Sequence, residues 1–279
     1  MSDSLRVACV QVTSTPNIER NVELTTPLIR EAHGAGAQFI TLPEIVNLCD
    51  MNGDAARAAA QSEDRDPALA AYRALAAELG VWLLAGSLAI KLADEDRLAN
   101  RSFLIDASGA VAARYDKIHM FDVNLANGET FRESHTYRPG DEAVVAETPW
   151  GVLGMTVCYD IRFPYLYRSL AHAGARMIAV PSSFTRRTGK AHWHILMQSR
   201  AIETGCFVIA PAQCGDHEDG RKTFGHSVII GPWGEVLADG GEQPGVITAD
   251  LDFAQVDKVR SMIPSLTHDR SVPAPEPAG

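Results

Sequence analysis

No apolar run in the sequence is long enough to cross a bilayer, which excludes a membrane-embedded helical protein. A spanning helix takes about 20 apolar residues, whereas runs such as Val81 to Ala85 and Met177 to Val180 stop far sooner. The first residues, with Asp3, Arg6 and no apolar centre, do not read as an export signal. A CxxC pair is also missing. The five cysteines, Cys9, Cys49, Cys158, Cys206 and Cys214, are odd in number, so reduced thiols and a cytoplasmic setting are expected rather than a disulfide frame. Basic charge is scarce: 25 Lys and Arg face 35 Asp and Glu, for a net −10. That excludes a broad basic surface for nucleic acid or an anionic membrane, but not a local cationic pocket. GxGxxG, GxxxxGK[ST] and HExxH are all absent, so neither a cofactor nor a metal is expected. His192 and His194 are two apart and do not share a helix face, which suits a structural role better than a metal pair.

What is present is ample core material, 46% apolar residues in 279, with no linker-like stretch in the middle. One domain over residues 1–264 is expected, followed by a proline-bearing tail over 265–279 that is extended or disordered. Strand and helix signals alternate. Leu5 to Val12 reads as a strand, and Asn17 caps a helix from Ile18 to about Gly36. Gln38 to Leu42 is a short strand, and a helix over Pro67 to Leu79 stops at Gly80. Val81 to Ile90, Arg101 to Asp106 and Val111 to Tyr115 read as consecutive strands. Val144 to Thr148 and Val152 to Val157 form a hairpin, followed by a helix from Pro164 to Ala173 and a strand from Arg176 to Val180. A helix over His192 to Glu203 and a strand over Cys206 to Ala212 come next. His226 to Gly231, Glu235 to Ala238 and Val246 to Leu251 read as a meander, before a short helix from Phe253 to Ser261. The pattern implies mixed sheets with helices outside.

Three strand ends carry candidate chemistry. Cys158 ends an apolar run and precedes a helix that opens at Pro164, the position where α/β sheets place active sites. By position alone it is equally a buried core thiol. Glu44 closes the strand Gln38 to Leu42, and Lys117 follows Val111 to Arg114. Each taken singly reads as surface; together they supply a nucleophile, a base and a cation, which a thiol of pKa about 8.5 needs near neutrality. His226 could pair with Cys158 in a papain-like arrangement, which would leave Glu44 and Lys117 unexplained. His119 either orients the site or packs, and Asn100-Arg101-Ser102 matches a glycosylation sequon by chance.

Leu42-Pro43-Glu44, Arg114-Tyr115-Asp116-Lys117-Ile118-His119 and Val157-Cys158-Tyr159-Asp160-Ile161-Arg162-Phe163-Pro164 together resemble the signature motifs of the nitrilase superfamily of carbon–nitrogen hydrolases. The resemblance extends from Val7 to the segment Gly225-His226-Ser227 and Pro232-Trp233-Gly234. It implies a four-layer α-β-β-α sandwich of two packed sheets, a homodimer or higher homo-oligomer, and a small-molecule amide substrate. It further implies Cys158 as nucleophile, Glu44 as general base, Lys117 as the cation facing the tetrahedral intermediate, and Glu133, in Thr130-Phe131-Arg132-Glu133, as a fourth member positioning Lys117. The Tyr159 N–H would join Lys117 at the oxyanion, and a thioester would form and hydrolyse with release of ammonia.

Cys158 to Pro164, Thr188 to Trp193 and Arg200 to Thr204 resemble the branch whose substrates are carboxylate-bearing amides, and Ala212-Gln213-Cys214-Gly215 followed by His217 tilts the expectation towards deaminated glutathione. An ω-amidase acting on α-ketoglutaramate, an N-carbamoyl amino acid amidohydrolase and a soluble acyltransferase are the alternatives. Arg162, Phe184, Arg186 and His192 are the expected substrate-binding residues, with Arg187 and Lys190 as further candidate cations. Asn124 and Asn127 fall in an expected lid over Phe121 to Thr130.

Overall fold

A computed structural model of the chain describes residues 4–125, 128 and 130–272. The candidate lid residue Asn127 and the prolines of the expected tail lie outside them. In chain order the strands are β1 (Ser4–Gln11), β2 (Phe39–Thr41), β3 (Trp82–Leu84), β4 (Leu88–Lys91), β5 (Leu98–Ile105), β6 (Val111–Asp116), β7 (Asp122–Asn124), β8 (Thr130–Arg132), β9 (Tyr137–Arg138), β10 (Val144–Thr148), β11 (Gly151–Met155), β12 (Ala175–Ala179), β13 (Phe207–Ala210), β14 (Cys214–Asp216), β15 (Lys222–Phe224), β16 (Val228–Ile230), β17 (Val236–Asp239) and β18 (Gly245–Asp252). The helices are α1 (Ile18–Gly34), α2 (Gly53–Ala59), α3 (Pro67–Leu79), α4 (Pro164–His172), α5 (Arg186–Thr204) and α6 (Ala254–Met262). None is long and apolar enough to cross a membrane, among the described residues.

The first sheet runs β18-β1-β2-β3-β5-β4, with β6 and β9 also paired to β5; the second runs β10-β11-β12-β13-β16-β17. Side chains alternate across a strand, and β1 shows what that does here. Leu5, Val7 and Cys9 join one core with Leu153, Met155 and Met177 of the second sheet, while Ala8 and Val10 join another with Ile29 of α1 and Tyr72 of α3. Trp193 and Met197 of α5 and Leu166 and Leu170 of α4 close the far side of the second sheet. The layers are therefore helices, sheet, sheet, helices, as expected.

Local signals act as read. Asn17 Oδ1 accepts from the Arg20 N–H at 2.7 Å, and α3 opens at Pro67 behind Asp66, whose Oδ1 accepts from the Leu69 N–H at 2.8 Å. Gly80 ends it in the left-handed conformation.

Four readings are corrected. The single strand expected over Val81 to Ile90 is two, β3 and β4, broken at Gly86. A Cβ there would stand 2.0 Å from the Pro43 carbonyl oxygen and 2.1 Å from that of Leu42, so the chain bends against the turn that carries Glu44. Helix α5 starts at Arg186, six residues before His192. Inside it, a Cβ on Gly189 would meet Phe224 at 2.3 Å, so this is a glycine of close packing. The expected meander is a hairpin, β16–β17, and β18 crosses to the first sheet, where it pairs antiparallel with β1 from Ser4↔Asp252 to Gln11↔Gly245. Gln11 holds that crossing: Nε2 donates to the carbonyls of Gly241 (2.9 Å) and Gln243 (2.7 Å), and Oε1 accepts from the Ser227 N–H (2.7 Å). Finally, the tail does not leave the fold at Ser265. Ser265–Thr267 makes a 3-10 turn, and Asp269 accepts from Arg168 and from His172 Nε2 (2.7 Å).

Candidate active site

Three turns meet at one end of the sandwich. Glu44 leaves β2 through Pro43, in a turn braced by the β3–β4 junction: Ile45 N–H donates to Ser87 Oγ (2.9 Å) and Val46 N–H to the Ser87 carbonyl (3.0 Å). Lys117 leaves β6, its N–H bonded to the Asn100 carbonyl of β5 (3.0 Å). Cys158 leaves β11 with φ +49°, a left-handed conformation that L side chains adopt at a cost. Its N–H is held by the Pro181 carbonyl at 3.0 Å. Ile45, beside Glu44, is also left-handed at φ +46°.

The side chains converge. Lys117, 2% exposed, donates from Nζ to Glu44 Oε1 (2.9 Å) and to both oxygens of Glu133 (2.8 Å each). Glu44, 4% exposed, is also hydrogen-bonded to the Cys158 thiol. Glu133 Oε2 accepts from the Phe121 N–H at 2.6 Å. Asn100 is the member that the sequence reading missed: its Nδ2 reaches Glu44 Oε1 (3.0 Å) and Glu133 Oε1 (3.2 Å). It projects from the middle of a strand rather than its end, and the sequon was the one local signal it carried. Its Oδ1 is buried without a hydrogen-bond partner among the described residues.

Burial and charge set the resting protonation. Burial pushes the Cys158 thiol well above its usual range, and the Glu44 carboxylate adds to this against the opposing pull of Lys117 and of the Ser183 N–H. Burial also raises Glu44, but the Lys117 charge and the bonds from Lys117, Cys158 and Asn100 outweigh it and hold the carboxyl below its ordinary value. Lys117 is desolvated, yet the carboxylates of Glu133 and Glu44 raise it well above the usual lysine value. Near pH 7 the cluster is therefore a thiol, a carboxylate base and an ammonium.

Below this cluster Asp160 ties the two sheets' turns together. Fully buried, its Oδ1 accepts from the His119 N–H (3.0 Å) and lies 2.6 Å from His119 Nδ1; its Oδ2 accepts from Tyr115 Oη (2.7 Å) and the Val157 N–H (2.9 Å). His119 thus serves the frame and is not on the pocket wall.

The pocket over Cys158 is lined by Glu44, Lys117, Glu133, Tyr159 and Phe184, among others, and by two guanidinium groups, Arg132 and Arg221. Arg162, Arg186 and His192, expected at the substrate, are not on its wall. Arg186 turns outward to Asp216 (2.5 Å), because the early start of α5 puts it on an exposed first turn. Arg162 lies 5.8 Å from the ring centroids of Tyr159 and Phe184, and its Nη2 meets exposed His192 Nδ1 at 3.2 Å. His226 does not meet Cys158: its Nδ1 bonds Asp239 (2.8 Å), which also bonds His194 Nε2 (2.7 Å). Among the described residues these three are the one His/Cys/Asp/Glu group close enough to hold an ion, and hydrogen bonds to Asp239 already engage both imidazoles.

A buried thiol bonded to a carboxylate that is itself bonded to a lysine, in the sandwich described, accords with what sequence matching finds: residues 6–261 match the carbon-nitrogen hydrolase family, to which the chain belongs. It is an enzyme class that cleaves carbon–nitrogen bonds other than peptide bonds. Among particular relatives, a deaminated glutathione amidase of Synechocystis is 40% identical over 264 residues, covering 94% of this chain and 96% of that protein. The human protein of the same name is 39% identical over 270 residues, covering 95% and 82%. The solved structure of the C. elegans NitFhit protein superposes with a TM-score of 0.88 at 34% identity, covering 96% of this chain and 65% of the longer worm chain. Saccharomyces cerevisiae Nit3, described as a member of branch 10 of the nitrilase superfamily, gives a TM-score of 0.86 at 27% identity, covering 95% and 96%.

Proposed function

We propose that the protein hydrolyses the amide bond of deaminated glutathione through a thioester on Cys158. The observation that carries the reading is one buried carboxylate, Glu44, bonded at once to a protonated thiol and to an ammonium. Glu44 takes the thiol proton as Sγ attacks the carbonyl carbon. Lys117, fixed by two carboxylates, faces the developing oxyanion as a buried positive charge, together with the Tyr159 N–H. Collapse of the tetrahedral intermediate breaks the C–N bond, and the nitrogen leaves with the proton that Glu44 returns. Glu44 then removes a proton from water, hydroxide attacks the thioester, and the thiol is regenerated. Glu133 and Asn100 hold Lys117 and Glu44 in place.

The leaving group differs from the one the sequence suggested. Ammonia departs from a primary amide; in deaminated glutathione the acyl carbon is bonded to the cysteinyl nitrogen, so the products are 2-oxoglutarate and cysteinylglycine. The similarity to deaminated glutathione amidases supports this substrate over the ω-amide.

The test is product formation from deaminated glutathione, α-ketoglutaramate, an N-carbamoyl amino acid and a simple aliphatic amide, with Cys158→Ala and Glu44→Gln beside the parent. Deaminated glutathione should give the highest kcat/KM. Cys158→Ala should abolish turnover, and Glu44→Gln should lower kcat by about 10²–10⁴-fold, the usual contribution of a general base. Turnover by Cys158→Ala equal to the parent would sink the mechanism, and preference for another amide would sink the substrate.

A further inference from the structure

The pocket wall contains a cation whose donors have almost nothing to hold. Arg221 stands between β14 and β15 and shares the pocket with Cys158 and Lys117. Its side chain is 19% exposed. A guanidinium has five N–H donors. On Arg221, Nη1 makes one long bond to Ser183 Oγ (3.4 Å), and Nε is shut off from water with no acceptor in range among the described residues. The carboxylate paired with it, Asp219, stays 4.0 Å from Nε and is engaged elsewhere, with Oδ2 accepting from the Met51 N–H and Oδ1 from the Arg221 N–H, both at 2.9 Å.

The other cations of the pocket are satisfied. Lys117 has two carboxylates, and Arg132 donates to the carbonyls of Val123 (3.0 Å) and Phe131 (2.7 Å) and to Asn124 Oδ1 (2.6 Å). Leaving a buried charged donor unmatched costs free energy. An anion arriving from solvent offsets that cost, and the planar fork of arginine fits the two oxygens of a carboxylate.

We infer that Arg221 binds a carboxylate of the substrate, so that the site selects amides bearing an acid group remote from the scissile bond. The inference rests on the amidase reading for its substrate but not for its test. Deaminated glutathione offers two such groups, one on the acyl side and one on the dipeptide side.

The test is the rate at which iodoacetamide alkylates Cys158, followed by mass, in the parent, Arg221→Gln and Arg221→Lys. It is run with 2-oxoglutarate, or with alanylglycine as a thiol-free stand-in for the dipeptide. One of the two anions should protect the parent and thereby identify the side. Its apparent Kd should rise about 10- to 100-fold in Arg221→Gln, the range expected for charge-assisted hydrogen bonds. Arg221→Lys, which keeps the charge but loses the fork, should fall between and serves if Arg221→Gln does not fold. Equal protection of parent and Arg221→Gln, or protection of the parent by neither anion, overturns the inference. Turnover adds a second readout: the ratio of kcat/KM for the acid to that for its methyl ester should collapse in Arg221→Gln, and an equal loss for both overturns it. A parent that cleaves none of the amides yet shows Arg221-dependent protection sustains this inference and sinks the amidase reading.

Discussion

Replacing Asp160 by asparagine exchanges one carboxylate oxygen for an NH₂ group, and the structure leaves no harmless way to orient it. Each oxygen of Asp160 accepts a backbone N–H: Oδ1 that of His119, Oδ2 that of Val157. The hydroxyl of Tyr115 can rotate and accept, but a backbone N–H cannot. Either flip of the amide therefore sets two donors face to face and strands one buried N–H. The stranded group costs about 1–3 kcal/mol, and weakening the remaining charge-assisted bonds adds a comparable amount. Asp160→Asn should lose about 2–5 kcal/mol, read from urea unfolding, and its midpoint should fall by about 4–20 °C at roughly 2–4 °C per kcal/mol for a chain of this size. Because Asp160 joins the strand end bearing Lys117 to the turn bearing Cys158, alkylation of Cys158 should change rate in the variant under conditions where it remains folded. A loss below about 1 kcal/mol together with an unchanged alkylation rate would refute the reasoning.

Other perturbations follow from the same geometry. Gly86→Ala drives a Cβ into the carbonyls of Leu42 and Pro43 at a residue of φ +42°; about 2–4 kcal/mol of stability should be lost, with a fall in kcat because the Glu44 turn must shift. Lys117→Met leaves two carboxylates sharing a dry site without their cation, so thermal unfolding should report about 3–5 kcal/mol of destabilisation beside the loss of activity. The pH profile has a definite sign. Glu44 sits below its ordinary 4.5 in the fold, so its contribution to stability is complete above that value and disappears as pH falls through the lower folded value. Activity should hold level from about pH 6 to 8, because Glu44 is already ionised and Cys158 still protonated, and decline in acid as Glu44 gains a proton. A steep rise across pH 6–8 would contradict a protonated resting thiol.

The site was legible where its residues stand at strand ends inside short local motifs. Glu44, Lys117 and Cys158 each follow an apolar run by one to three residues, and Glu133 lies in a segment of its own that matches the same family. Asn100 and Arg221 carry no such mark. Asn100 joins the cluster through contacts with residues 56 and 33 positions away, and Arg221 reaches the pocket from a hairpin that sequence periodicity does not place. The cations expected at the substrate miss the pocket for a local reason: α5 begins at Arg186 rather than at His192, which puts Arg186 on an exposed first helical turn against Asp216. The same limit applies to β18. Its alternation marks a strand, but which sheet receives it depends on Gln11, more than 200 residues earlier.

Glu44, Lys117 and Asn100 belong to one sheet of the sandwich and Cys158 to the other. The thiol and the carboxylate therefore stand on different sheets, registered by the core between them and by cross-links such as Asp160 and Gln213, whose Nε2 donates to the Glu44 carbonyl and whose N–H donates to that of Ser182. Catalysis in this protein is accordingly a gauge of sliding at that interface. A perturbation that lets one sheet creep past the other by a fraction of a bond length should silence the enzyme while spectroscopic signatures of both sheets persist, so inactivation should precede unfolding on heating.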